Sequence, residues 1–153
     1  MRTLHGTFLA AAVTATALGD SLGNVGDVRL NGYLGERLDA MIERNVAGKD
    51  VGYITEAFLE KTESHGWWQT EFWGKWMHSA VPYLRYVGNG EWGTGNGALR
   101  NKVERGIERI LASQEASGYI GNYPDELRCG GGWDVWGMKY TMMGLVELID
   151  MDS

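Results

Sequence analysis

A chain of 153 residues with a formal net charge of −6 makes one domain with its own core and offers no basic run to a nucleic acid. Hydrophobic residues are 44% and charged residues 22% of the total, an ordinary globular balance. The single cysteine, Cys129, excludes an intrachain disulfide and any multi-cysteine metal site within these residues. His5, His65 and His78 lack the close spacing of a zinc motif.

Residues 1–19 begin with Met1-Arg2, continue uncharged from Thr7 to Leu18, and end in a small-x-small pattern, Ala17-Leu18-Gly19. This fits a short secretory leader, and equally a first helix. The run is too short for a membrane span, and no later segment qualifies as one. A linker rich in Gly, Asn and Asp follows, and residues 20–153 are expected to form the folded part. Leu34, Leu38, Met41 and Ile42 recur at helical spacing and predict a helix over about Tyr33 to Asn45. A shorter one is predicted from about Val51 to Lys61.

The next helix is predicted from Thr70 to Val87. It is apolar around much of its circumference, with Pro82 inside as a source of a kink. After a glycine-rich loop from Gly88 to Gly97, Val103, Ile107, Ile110 and Leu111 mark a helix over Ala98 to Ser113. Gln114 to Gly132 reads as loop, with Tyr119 and Tyr123 looking exposed. A last helix is predicted from Trp133 to Ile149, with Trp136, Tyr140, Met143 and Glu147 on one face. No strand of length is convincing, so the fold class is all-α.

Six of the seven tryptophans fall in two blocks, Trp67-Trp68-Gln69-Thr70-Glu71-Phe72-Trp73-Gly74-Lys75-Trp76 and Gly132-Trp133-Asp134-Val135-Trp136-Gly137. Flat rings beside carboxylates suit a carbohydrate, whose C–H faces stack on indoles while its hydroxyls need fixed partners. Helical packing accounts for the same rings. The candidate substrate-binding residues are Glu71, Trp73, Trp76, Trp133, Asp134 and Trp136. Glu71 can pair with Lys75 four residues on, grip a sugar hydroxyl, or serve in proton transfer. Asp134 can cap the last helix or accept from sugar hydroxyls. The two carboxylates could flank a glycosidic bond if their helices are neighbours. No Ser-His-Asp set, phosphate-cradling loop or dinucleotide fingerprint is present.

Four blocks in order, Gly32-Tyr33-Leu34-Gly35-Glu36-Arg37, Trp68 to Trp76, Gly118-Tyr119-Ile120-Gly121-Asn122-Tyr123 and Trp133 to Tyr140, resemble the N-terminal portion of the β-L-arabinofuranosidase family of glycoside hydrolases. The resemblance covers about Val28 to Ile149. It implies an (α/α)6 toroid, of which this chain supplies an incomplete N-terminal part. It also implies exo-acting release of terminal arabinofuranosyl or related sugars from plant-type glycans. Family membership brings a zinc-bound cysteine nucleophile and a glutamate acid/base, whose motifs lie downstream of the blocks matched here. Cys129 does not match the nucleophile's motif. No catalytic residue, metal ligand or cofactor is therefore assigned to this chain, and it is expected to be inactive alone. Unpartnered helix faces are expected to favour self-association. The leader, if cleaved, implies a secreted or periplasmic protein; otherwise it is cytoplasmic. The alternatives are a non-catalytic carbohydrate-binding helical protein and another (α/α)6 glycosidase, such as an unsaturated glucuronyl hydrolase.

Overall fold

The computed structural model describes residues 28–61, 68–88, 96–130 and 132–149. The leader read at 1–19 and the indole of Trp67 lie outside them. Among the described residues every regular element is helical. Helix α1 (Gly32–Met41) runs on into a wide π-helical turn at Ile42–Ala47. Helix α2 (Val51–Glu60) starts at Asp50, whose carboxylate accepts from the Tyr53 amide, and stops where Lys61 turns left-handed. Helix α3 (Thr70–Val87) contains Pro82 and continues past it. Helix α4 (Gly97–Ala112) is capped by Asn96 through the Leu99 amide. A single 3-10 turn at Asp125–Leu127 interrupts the long loop before α5 (Asp134–Ile149). The predicted helices are thus all present, with the last one starting a residue later than expected.

The contacts define two layers. In one, Thr70 lies against Gly137, Gly74 against Tyr140, and His78 pairs with Glu147. The positions climb both helices together, so α3 and α5 run parallel. In the other, Val51 lies at Gly106, the Thr55 hydroxyl accepts from Arg109, and Lys61 donates to the Ser113 carbonyl. Helices α2 and α4 are therefore parallel too. Helix α1 runs against α3, with Leu30 bonded to Tyr86 and Val46 to the Trp76 indole.

The core forms between the layers. Trp73, Phe58, Met77, Val81, Leu99, Val103 and Ile110 are fully buried, and Phe58 meets Trp73 edge-on with ring centroids 6.5 Å apart. Gly106 gives Trp73 its room: a Cβ there would stand 2.9 Å from the indole nitrogen.

The α3–α5 seam is built from small residues. Gly137, Thr141 and Gly144 form the buried face of α5, against Thr70, Gly74 and Met77 of α3. A Cβ on Gly144 would lie 3.1 Å from the Gly74 Cα. On α5, Leu145 and Leu148 pack against the core, while Val135, Met142, Met143, Val146 and Ile149 are exposed, as are Tyr33, Leu34 and Met41 on α1. Periodicity identified the helix, but hydrophobicity did not mark its most buried side, because the tightest packing here needs the absence of side chains.

Candidate functional site

The glycine seam decides what meets at the start of α3 and α5. Because the two backbones approach closely and in parallel, Glu71 on the first turn of α3 comes within reach of Trp136 on the first turn of α5. The Trp136 indole N–H donates to Glu71 Oε2, and Lys75 Nζ donates to Glu71 Oε1 at 2.8 Å. The expected Glu71–Lys75 pair is present, and the indole is a third member.

Aromatic rings extend the group. Trp136 meets Trp133 at 6.3 Å and Tyr140 at 5.4 Å, both edge-on. Lys139 Nζ stands 3.6 Å above the Trp136 ring and 4.2 Å from that of Tyr140, and Lys75 Nζ is 4.9 Å from Tyr140. Trp133 is 51% exposed and Trp136 41% exposed. The result is an open platform of three rings, two ammonium groups and one carboxylate. Lys139 and Tyr140 are the members that sequence reasoning did not single out. Their signal was spacing: they follow Trp136 by three and four residues, one helical turn.

The six candidates therefore divide. Glu71, Trp133 and Trp136 share the platform. Trp73, at 0% exposure, is part of the core and presents no face to a ligand. Trp76 is also buried, its N–H given to the Val46 carbonyl at 3.0 Å. Asp134 is 3% exposed and spends both oxygens within the protein: Oδ1 accepts from the Tyr119 hydroxyl at 2.6 Å and Oδ2 from the Cys129 amide at 3.0 Å. Neither role read for Asp134 is the one these bonds display: they cap no amide of α5 and leave no oxygen for a sugar, and instead tie the helix start to the preceding loop.

That fastening organises the described part of the loop before α5. Tyr119 and Tyr123 look exposed in sequence but turn inward. The Tyr119 hydroxyl, besides donating to Asp134, accepts the Tyr123 amide at 3.0 Å. The Tyr123 hydroxyl accepts the Trp133 amide at 2.9 Å. Burial first, and the bond to Asp134 second, push the Tyr119 phenol well above its ordinary range, so it stays a donor. Arg128 lies 3.6 Å over the Tyr119 ring and makes a forked pair with Glu115 at 2.9 and 2.6 Å. Lys61 adds a contact to Glu115 at 3.1 Å. These bonds hold the Glu115 carboxyl down at about 2, with Arg128 the larger cause. The loop thereby holds Trp133 at the edge of the platform.

The zinc–thiolate chemistry implied by the family resemblance does not fit the described residues. Cys129 is exposed, and no group of three His, Cys, Asp or Glu side chains among them could hold a metal ion. No helix among the described residues is long and apolar enough to cross a membrane. Comparison with family profiles, with curated proteins and with solved structures gives no match to this chain.

Proposed function

We propose that this chain is the sugar-holding part of a glycoside hydrolase of β-L-arabinofuranosidase type, and that the Trp133–Trp136–Tyr140 platform binds terminal arabinofuranosyl or related sugars of plant-type glycans. One observation carries the reading. An exposed indole is locked beside a carboxylate by its own N–H, so an apolar face and a hydroxyl acceptor are fixed together before a ligand arrives. One face of Trp136 carries Lys139; a sugar stacks on the other or displaces the ammonium. The layered helices also support the reading: order alternates between layers, and neighbours within the α2–α4 and α3–α5 pairs run parallel. An (α/α)6 toroid, the architecture we propose for the complete domain, repeats that alternation. A secreted or periplasmic location goes with plant-glycan substrates.

No hydrolytic step is assigned to these residues, and the purified chain is expected to bind without turnover. The test is a titration with arabinofuranosyl oligosaccharides followed by tryptophan fluorescence. Trp136→Ala is expected to weaken binding about tenfold or more, the cost of about one aromatic contact with its hydrogen bond. Unchanged affinity in Trp136→Ala, or no binding by the parent chain, overturns the site. Release of product from an aryl arabinofuranoside overturns the assignment of chemistry elsewhere.

A further inference from the structure

Away from the platform, on the layer made by α2 and α4, lies a cavity of about 520 Å³ lined by Gly48, Lys49, Asp50, Val51, Gly52, Lys102, Arg105 and Arg109. Four cationic side chains and one carboxylate face one space, in a protein whose overall charge is −6. The sequence conceals this cluster. Lys102, Arg105 and Arg109 are scattered among glutamates along α4, and helical geometry puts them on one side. The parallel packing of α2 on α4 then brings Lys49 and Asp50 to them.

The four cations are not equally engaged. Lys102 is held by the carbonyls of Ala47 and Lys49, and Arg109 by the Thr55 hydroxyl at 2.6 Å and the Gly52 carbonyl at 3.4 Å. These bonds anchor two positive charges at fixed points, and each leaves further N–H donors open. Arg105 and Lys49 are exposed at the rim. Neither forms an ion pair with an acidic side chain among the described residues. The Asp50 carboxylate is turned to its own helix, where Oδ1 accepts the Tyr53 amide at 3.2 Å. Glu104, paired with Arg100, and Glu108 line a neighbouring groove that shares Lys102 and Arg105 with this cavity, and neither glutamate lines the cavity itself. The opening turn of α2 adds the Val51 and Gly52 amides, where no preceding turn supplies acceptors.

We propose that this cavity binds a phosphate group, free or carried on a small sugar ester. Four positive charges against one negative favour a dianion over a single carboxylate, and the guanidinium forks match phosphate oxygens. The volume exceeds what a bare phosphate fills, which leaves room for a sugar-sized group attached to it. The proposal is independent of the carbohydrate platform and stands or falls without it.

The full chain is titrated by calorimetry with inorganic phosphate, glucose 6-phosphate and glucose. Binding of both phosphates, weakened by added salt, and none of glucose is the expected result. Tighter binding of the ester identifies a sugar phosphate as the ligand; equal binding identifies the free ion. The double variant Lys49→Gln/Arg105→Gln, made only at exposed positions, is expected to lower phosphate affinity about tenfold or more with an unchanged urea midpoint. Lys139→Gln, on the platform, is expected to leave it unaltered. No detectable phosphate binding at about 10 mM ligand, or equal affinity in the double variant, overturns the proposal.

Discussion

Gly74 is the point where the α3–α5 seam is most sensitive, and Gly74→Ala is the substitution that tests it. A Cβ there would sit 2.9 Å from the Tyr140 Cβ, and its nearest neighbours would be the Tyr140 carbonyl carbon and oxygen. These belong to the backbone of α5, so no side chain can swing aside. The helices must part by on the order of 1 Å, which also loosens Gly144 against Trp73 and Met77. Overpacking of this kind costs roughly 1–3 kcal/mol. Alanine returns about 1 kcal/mol of helix propensity. Because the obstruction is main chain, the cost lies at the upper end or beyond, and a net loss of about 2 kcal/mol is expected. With a urea slope of about 1–3 kcal/mol per molar, the midpoint falls by roughly 1 M. Gly97→Ala is the control, since nothing lies within 4 Å of a Cβ there. Its midpoint should hold or rise. The same separation pulls Glu71 from Trp136, so the sugar affinity proposed for the platform is expected to fall together with stability. A Gly74→Ala midpoint equal to the parent's would refute the close-packed seam and the site geometry built on it.

Asp134→Ala leaves the Tyr119 hydroxyl and the Cys129 amide without their acceptor; a loss of about 2–3 kcal/mol is expected in urea unfolding, and a change below about 0.5 kcal/mol would contradict the anchoring role. Trp73→Ala should cost about 3–5 kcal/mol by emptying the core, while Trp136→Ala should cost far less, a contrast that unfolding curves measure directly. The Glu115 carboxyl is lowered from an ordinary 4.5 to about 2 by Arg128 and Lys61. A depressed folded pKa stabilises above the unfolded value, so its contribution is complete above about 4.5 and disappears as pH falls toward 2. Tyrosine near-UV dichroism should report loop release across that window, and Glu115→Gln should flatten the response. The exposed apolar side of α5 should drive self-association: Met142→Glu with Ile149→Glu is expected to raise the monomer fraction in sedimentation, and an unchanged distribution counts against that surface.

The helices could be read from the chain because each carries its own local cause: an apolar period such as Val103, Ile107 and Ile110, or a stop such as the glycine-rich run from Gly88. Those causes act within one or two turns, so sequence alone determined an all-α chain and nearly its boundaries. Which side of a helix would be buried was a different matter. It depended on a neighbour distant in sequence: Gly137, Thr141 and Gly144 turn inward a side of α5 that hydrophobicity does not mark. The aromatic blocks likewise could not separate core from surface. Trp73 and Trp136 look alike in sequence, yet one fills the space that Gly106 leaves and the other stands in solvent holding Glu71. Only the parallel approach of α3 and α5 set that division, because burial is a property of what two elements do together and no single turn encodes it.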